Sequence, residues 1–497
     1  MRLATALLRR VVGACNCLAL VLLAAGCSDT GRSLATLPLH DCHLPKLAQP
    51  AMCGELAVPE NANETNGRTL KLFVAVLPAN TRSPKPDPLV LLPGGPGQAA
   101  STSLGPFAQQ LVAVRRTRDI VLVDPRGTGR SAPLDCPAFA PEAREEFEID
   151  PMPKVKQCLA ELQQRGVDLR QYTTTAAVAD LEAVRSALGY PQLNLWGGSY
   201  GSRVALEYLR RHPANVRTVV LDGVAPPDMR ITLDVWRTRE LALDRILAAC
   251  KASPKCSAAH HDPAATLQAI AQDLGSEGKE IDVADPRTGV ASRTRITFDH
   301  VVAALHPLTY SPEVASLIPE ALDRAQAGDY GPLAAASVTL TGDLSEQLSP
   351  ALHYAVTCAE DVPRIRQGET HLALMGMRSA PLAERIVAVC DVWPHGSAPA
   401  DFATPVTSDK PVLLLSGGLD PVTPPEYATE VARTLRNSKQ IVATGFGHIV
   451  SHQACAPQLI ATFIADARFD TLSQSCIDYL QKSTRPPFFT DRLAAQP

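Results

Sequence analysis

Residues 193–201, Leu-Asn-Leu-Trp-Gly-Gly-Ser-Tyr-Gly, decide the fold of this 497-residue chain. A mostly apolar run, typical of a buried strand, leads directly into Gly-x-Ser-x-Gly, and residues 201–211 continue as a helical pattern. In such a sharp turn the backbone of the central serine is strained and its hydroxyl is exposed, while the flanking glycines let neighbouring elements pass closely. The stretch predicts Ser199 as a nucleophile. The alternative is a glycine-rich turn without chemistry.

A base and an orienting acid should accompany Ser199, because a serine alone is a poor nucleophile. Where such a serine stands between a strand and a helix of an α/β sheet, the acid and the base follow it in the order Ser, Asp, His. Two later strand patterns lead into suitable loops, the first carrying Asp420 and the second, Thr-Gly-Phe-Gly-His, carrying His448. Of the 12 histidines, His448 follows a strand through a glycine-flanked loop, and His452 is its nearest rival as the base. A turn-forming role is the alternative for Asp420.

A second glycine-rich loop, Pro-Gly-Gly-Pro-Gly at residues 93–97, follows the first apolar strand pattern at residues 89–92. An oxyanion hole needs backbone N–H groups aimed at the charge that develops during the reaction. One donor should be the N–H of Tyr200, directly after the nucleophile, and the other the N–H of Gly95. Glycines let this loop approach a substrate closely.

Two segments also resemble a dinucleotide-binding loop, at residues 95–100 and 127–132. The first precedes a helical pattern and a second strand that ends at Asp124, as in a nucleotide-binding unit. Pro96 removes an N–H from the loop that would bind phosphate, and this interpretation leaves the later Ser, Asp and His unexplained. Nucleotide binding is therefore the weaker hypothesis.

The order of elements predicts the α/β class. Short apolar runs alternate with helical patterns after an opening hairpin, at residues 55–58 and 69–76, which indicates a mostly parallel sheet covered on both faces. Helical spacing dominates between the last of these strands and the strand that begins at residue 412. We expect an α/β-hydrolase fold with an inserted helical cap. Its parts are the core at residues 42–224, the cap at 225–405, and the rest of the core, with the acid and the base, at 406–497.

The N-terminus predicts export. Residues 1–26 combine arginines with an apolar stretch shorter than the roughly 20 residues of a spanning helix. Leu-Ala-Ala-Gly-Cys at residues 23–27 resembles a bacterial lipoprotein signal, which predicts lipidation of Cys27, membrane attachment through it, and a flexible tether at residues 27–41. Ala24 stands where that signal usually has leucine, so ordinary secretion stays open. A permanent anchor helix is a further alternative.

Cysteine usage also indicates an oxidising compartment. The chain has 13 cysteines, of which Cys15, Cys17 and Cys27 belong to the N-terminal segment. The remaining ten form local pairs that predict disulfides, namely Cys42/Cys53, Cys136/Cys158, Cys250/Cys256, Cys358/Cys390 and Cys455/Cys476. Buried free thiols are the alternative, and no spacing typical of a metal site competes. The formal net charge of −4 argues against nucleic acid as a partner.

Together these motifs resemble the proline iminopeptidase and tripeptidyl aminopeptidase family of α/β-hydrolases, and most closely its exported tripeptidyl-aminopeptidase-like branch. The resemblance spans residues 42–464 and includes Asp-Pro-Arg-Gly-Thr-Gly-Arg-Ser at 124–131 and Val-Val-Leu-Asp-Gly-Val at 219–224. It implies release of short peptides from N-termini without a metal or organic cofactor. Proline iminopeptidases carry His before Gly-Gly-Pro-Gly, whereas this chain has Pro93, which speaks against a preference for single prolines.

The resemblance also implies how a peptide would be held. An aminopeptidase must bind the α-ammonium of its substrate, which is costly to bury unpaired. Thr-Cys-Ala-Glu-Asp-Val at residues 357–362 resembles the acidic segment of the family, so Glu360 and Asp361 are the candidate substrate-binding residues. An acidic pair that is solvated or stabilises the cap is the alternative. We expect short peptides with a free N-terminus as substrates. A secreted carboxylesterase with the same triad, and a lipoprotein whose fold serves only for binding, are the alternative functions.

Overall fold

The computed structural model describes residues 37–140, 149–284, 289–335, 348–365 and 376–490. The predicted signal peptide at residues 1–26, the predicted lipidation site Cys27 and most of the predicted tether lie outside these residues. Within the described ranges, no helix is both long enough and apolar enough to cross a membrane.

The described strands are β1 His40–Cys42, β2 Ala51–Pro59, β3 Thr69–Leu77, β4 Leu89–Leu92, β5 Ile120–Val123, β6 Leu193–Gly198, β7 Val216–Asp222, β8 Lys279–Ala284, β9 Ala291–Ile296, β10 Val412–Gly417 and β11 Ser438–Ala443. Nine of them form a sheet at the centre of the molecule, in the order β1-β2-β3-β5-β4-β6-β7-β10-β11, and β8 and β9 form a separate two-stranded sheet. The pairs β2/β3 and β3/β5 are antiparallel, and β4, β5, β6, β7, β10 and β11 pair in parallel. The predicted opening hairpin and the mostly parallel sheet are confirmed.

The described helices cover the sheet and fill the long connection between β7 and β10. They are α1 Ala100–Ser103, α2 Gly105–Gln110, α3 Val112–Arg115, α4 Met152–Gln164, α5 Thr174–Ala187, α6 Tyr200–Arg211, α7 Ile231–Ala252, α8 Pro254–His260, α9 Pro263–Leu274, α10 Phe298–Leu308, α11 Pro312–Ala315, α12 Ile318–Gln326, α13 Pro350–Glu360, α14 Ala380–Ala388, α15 Pro425–Ala432, α16 Ala456–Asp466 and α17 Gln474–Gln481. Short 3₁₀ helices lie at Pro137–Phe139, Leu169–Gln171, Pro213–Asn215, Val362–Arg364 and Val389–Asp391.

The central strands are buried on both faces, which explains why their sequences are continuous apolar runs. On β6, Leu195 packs into one apolar cluster and Trp196 into the cluster on the opposite face. The same alternation occurs on β4, where Val90 and Leu91 point into different clusters. A parallel sheet with helices on both faces buries its strands in this way.

The connection between β7 and β10 has an apolar core of its own, which includes Leu243, Leu305 and Ile318. The sequence predicts this region as mainly helical, but it also contains the antiparallel hairpin β8/β9. The hairpin was missed because its first strand, Lys-Glu-Ile-Asp-Val-Ala, is largely polar and Val283 is its one buried side chain. The predicted cap limits at residues 225–405 stay a prediction.

Five disulfides hold the described part of the chain, and all five predicted pairings are confirmed: Cys42–Cys53, Cys136–Cys158, Cys250–Cys256, Cys358–Cys390 and Cys455–Cys476. Bonds of this kind persist in oxidising compartments.

Candidate active site

Ser199 occupies a strained turn between β6 and α6. Its backbone has φ 56° and ψ −126°, a positive φ that costs energy for a residue with a side chain. The Ser199 N–H donates to the carbonyl oxygen of Asp222 at 2.8 Å. The flanking glycines are sterically required, since a Cβ on Gly197 would lie 2.2 Å from Gly201 O, and a Cβ on Gly201 would lie 2.2 Å from Leu92 O. The structure thus has the geometry that the glycine pattern predicts.

Asp420 and His448 form a hydrogen-bonded pair at the carboxyl edge of the same sheet, after β10 and β11. Asp420 Oδ2 and His448 Nδ1 are 2.8 Å apart. The buried carboxylate also accepts from the N–H groups of Val422 and Thr423, at 2.8 and 2.9 Å, and from the Thr423 hydroxyl at 2.8 Å. These bonds fix the carboxylate, so the imidazole is oriented with Nδ1 toward the acid and Nε2 is left as the basic atom.

Ser199 and His448 line one cavity of about 610 Å³. They meet around the end of β7, because Asp222 binds the Ser199 N–H and a Cβ on the next residue, Gly223, would lie 3.1 Å from His448 Cε1. The contacts of the described residues include no direct hydrogen bond between the Ser199 hydroxyl and the imidazole. Such bonds between nucleophile and base are often long before substrate binds.

Asp222 and Tyr310 also position His448, and the sequence alone predicts a role for neither. The buried Asp222 carboxylate accepts from the N–H groups of Val450 and Ser451, at 3.0 and 2.6 Å, and so holds the loop that follows the histidine. Burial raises the pKa of this carboxyl. The carbonyl of Tyr310 accepts the His448 N–H at 3.2 Å, and its ring packs edge-on against the imidazole at 5.5 Å. Asp222 lies within the Val-Val-Leu-Asp-Gly-Val motif, whereas no local signal marks Tyr310.

The loop after β4 lies directly against the nucleophile. A Cβ on Gly94 would come within 3.3 Å of Ser199 Cβ, and the Gly94 N–H already donates to Gln98 Oε1 at 3.1 Å. Gly95 has φ 110°, which favours glycine, and its N–H has no partner among the hydrogen bonds of the described residues. Tyr200 is the first residue of α6, where N–H groups lack intrahelical acceptors. Gly95 and Tyr200 therefore remain the predicted oxyanion donors.

Glu360 and Asp361 do not lie on the wall of this cavity. The Glu360 carboxylate is 1 % exposed, and its oxygens accept from the Thr174 N–H at 2.5 Å and the Thr174 hydroxyl at 2.7 Å. Burial raises the pKa of Glu360 to about 7. Asp361 binds Arg203 at 2.9 Å and the Ile231 N–H at 3.1 Å.

The physical reason for this placement is the buried Arg203. Its guanidinium is 1 % exposed on the helix that starts at the nucleophile, and a buried cation needs carboxylate partners. The carboxylates of Glu360 and Asp361 contact Arg203 and Thr174 and do not line the cavity, and their role in substrate binding stays a prediction. The alternative named above, an acidic pair that stabilises the cap, agrees with what they contact.

The described wall of the cavity is mainly apolar, and no Asp or Glu of the described residues lies on it. Its apolar members include Leu104, Phe107, Trp196, Met229, Trp236 and Ile386. Among the described residues, Arg239 is the one arginine or lysine on this wall. The wall also carries the imidazoles of His353, His448 and His452. The rival base His452 is hydrogen-bonded to the side chain of Gln453, and burial lowers the pKa of its imidazole. Unlike His448, it has no hydrogen bond to a carboxylate within the described part of the chain.

Comparison with known proteins places the chain in a family. Residues 87–454 match the model of the alpha/beta hydrolase fold. The chain belongs to this family, and the relatives named below support its assignment as a serine hydrolase.

Its relatives include named peptidases. The tripeptidyl aminopeptidase of Streptomyces lividans is 25 % identical over 472 residues, which cover 88 % of this chain and 85 % of the relative. The serine protease Hip1 of Mycobacterium tuberculosis is 23 % identical over 454 residues, covering 84 % and 86 %. Among solved structures, proline iminopeptidase from Mycobacterium smegmatis matches 88 % of this chain and 98 % of its own, with 16 % identity and a TM-score of 0.36.

Proposed function

We propose that the protein is an exported serine aminopeptidase that releases short peptides from the N-termini of its substrates. The observation that carries the proposal is the strained Ser199 in one cavity with the fixed Asp420–His448 pair. The sequence similarity to a tripeptidyl aminopeptidase over most of the chain supports peptides as the substrate class.

In this mechanism His448 Nε2 takes the proton of Ser199 as its oxygen attacks the scissile carbonyl carbon. Asp420 stabilises the imidazolium that forms, and the N–H groups of Gly95 and Tyr200 bind the oxyanion. His448 then gives its proton to the nitrogen of the leaving peptide as the C–N bond breaks. A water molecule, deprotonated by the same imidazole, releases the acyl group from Ser199.

Export is supported by the five disulfides and by the N-terminal sequence pattern. Lipidation of Cys27 is a proposal from that pattern. Mass spectrometry of the mature protein tests it: a diacylated Cys27 at the new N-terminus supports the anchor, and an unmodified N-terminus near residue 26 contradicts it.

A secreted carboxylesterase remains the second candidate because of the composition of the cavity wall. An acyl ester needs an apolar pocket and no partner for an ammonium, and the described wall is mainly apolar and carries no described carboxylate. The catalytic steps would be the same, with an alcohol as the leaving group.

One set of assays separates the two candidates. The values of kcat/KM are measured for tripeptidyl anilides with a free N-terminus, for their N-acetylated forms and for short nitrophenyl esters, with Ser199→Ala as the control. An aminopeptidase turns over the free tripeptidyl anilides fastest and loses activity on acetylation. A preference for esters or for acetylated peptides contradicts the proposal.

A further inference from the structure

Arg239 is a cation on the cavity wall that has no carboxylate partner among the described residues. It lies on α7, and its guanidinium carbon is 5.9 Å from the centre of the Trp236 ring and 5.1 Å from that of the Tyr310 ring. Nη2 donates to the Tyr310 hydroxyl. The buried Nε has no hydrogen-bond partner within the described part of the chain.

Two other arginines, one on this helix and one that contacts it, have carboxylate partners. Arg237 lies 4.0 Å from Asp234, and Arg378 reaches across to bind both Glu240 and Asp244. The helix therefore has carboxylates, but they point to other cations. Arg239 faces the cavity, where no described Asp or Glu is present.

The aromatic rings contact the positive charge of the guanidinium and leave most of its N–H donors without an acceptor in the described ranges. Cation–π contacts attract the positive charge above a ring, whereas the five N–H donors of arginine lie in the plane of the group. One acceptor is supplied by Tyr310, and Arg239 makes no other hydrogen bond among the described residues. A carboxylate matches these donors, because its two oxygens accept two parallel N–H bonds.

The position of Arg239 relative to the base says which part of a substrate would reach it. Tyr310 stands between the two groups, with its ring edge-on to the His448 imidazole and under the guanidinium. The base gives its proton to the leaving group, so the leaving peptide passes next to it. A carboxylate close to the new N-terminus of that peptide would lie within reach of Arg239.

We propose that Arg239 binds a carboxylate of the leaving peptide and that the enzyme prefers substrates carrying one near the scissile bond. Its source is either the C-terminal carboxylate of a short peptide or the side chain of an Asp or Glu after the scissile bond. This inference rests on the proposed peptidase function and names its substrate class more closely. A purely structural role, in which Arg239 supports Tyr310 and His448, would change turnover of every substrate alike.

The test uses matched peptides that differ in one negative charge. Tetra-alanine is compared with its C-terminal amide, and an amidated pentapeptide with Asp after the scissile bond is compared with its Asn counterpart, with products followed by liquid chromatography. The wild-type enzyme should show kcat/KM at least about tenfold higher for the charged member of one pair, which also identifies the source of the carboxylate. Arg239→Gln should reduce this ratio to near one, mainly through KM.

Arg237→Gln is the matched control, because this arginine lies on the same helix and outside the cavity wall. It should keep the wild-type ratio. Arg239→Lys is a second variant for the case in which Arg239→Gln folds poorly. It keeps the charge without the planar fork, so it should show a ratio between that of the wild type and one. Equal kcat/KM within both wild-type pairs, or an equal loss on charged and uncharged substrates in Arg239→Gln, would overturn the inference.

Failure of the proposed function is a separate result. It would appear as ester turnover by the wild type with no cleavage of any peptide. Calorimetry with Ser199→Ala then still tests Arg239: the free acid of tetra-alanine should bind at least about tenfold more tightly than its amide, and adding Arg239→Gln should remove the difference. Equal affinities would overturn the inference.

Discussion

Two buried carboxylate sites flank the nucleophile, and they are built alike. Asp420 accepts from two backbone N–H groups and the Thr423 hydroxyl, and Glu360 accepts from the N–H and the hydroxyl of Thr174. They differ in the cation beside them. Asp420 holds an imidazole that lines the cavity, whereas Glu360, with Asp361, surrounds the buried Arg203.

The difference teaches that a threonine-capped, buried acid is not by itself a sign of catalysis. An imidazole gains and loses a proton near neutral pH, so the acid that orients it can stabilise the imidazolium that forms during proton transfer. A guanidinium keeps its charge, so the acids around it serve to make burial of that charge possible. Substitutions on the two sides should therefore affect different properties, activity on one side and stability on the other.

The largest expected effect is on activity. Asp420→Asn should lower kcat about ten-thousand-fold with little change in fold, because the amide favours the wrong imidazole tautomer and cannot stabilise the imidazolium. Steady-state kinetics on the best substrate and circular dichroism measure the two properties. Asp409→Asn, at an exposed ion pair with Arg436, is the control. A kcat within tenfold of wild type would remove Asp420 from the catalytic pair.

The second effect is on stability. Asp361→Asn leaves the buried Arg203 without its closest carboxylate, and losing one partner of a buried pair costs about 3–5 kcal/mol. Urea unfolding measures this loss. Asp401→Asn is the control, since Asp401 pairs with Arg211 on the helix that carries Arg203, and an ion pair this exposed contributes little to stability. Equal losses in the two variants would contradict the comparison.

The sequence predicts the cavity side of this comparison better than the buried side, for a physical reason. Ser199, Asp420 and His448 each follow a strand, and the carboxyl ends of parallel strands meet at one edge, so their order along the chain implies their proximity. Glu360 and Arg203 come from a helix of the insertion and a helix of the core, and no local pattern encodes how those helices meet. The sequence likewise does not predict the β8/β9 hairpin or the contact of Tyr310 with His448, since both depend on packing between distant segments.

A smaller effect on kcat is expected at the Thr423 hydroxyl, which binds the Asp420 carboxylate. Thr423→Val keeps the shape of the side chain and removes the bond to Asp420 Oδ2. Hydrogen bonds to charged groups contribute about 1.5–3 kcal/mol, so kcat should fall roughly ten- to hundredfold while KM changes little. Thr429→Val is the control, because that hydroxyl binds Pro425 O and Gln440 away from the cavity. An unchanged kcat would show that the backbone N–H groups suffice to fix Asp420.

The last effect concerns the pH dependence of stability at Glu360. Burial raises its pKa from 4.5 to about 7, so between these values the folded state holds a proton that the unfolded state has released. The wild type should therefore lose stability as the pH rises through this window and level off above it.

Glu360→Gln removes this titration, and its amide oxygen can still accept from the Thr174 N–H, so the free energy of unfolding of the variant minus that of the wild type should increase from pH 4.5 to 7. Urea unfolding across this range measures the difference, in which all other carboxylates cancel. A difference that does not depend on pH would contradict the ionisation assigned here.

The same Glu360→Gln variant should keep any preference for a free N-terminus, because Glu360 is separated from the cavity by Thr174 and Tyr200. Loss of that preference would support the role in amine binding that the family resemblance implies for Glu360.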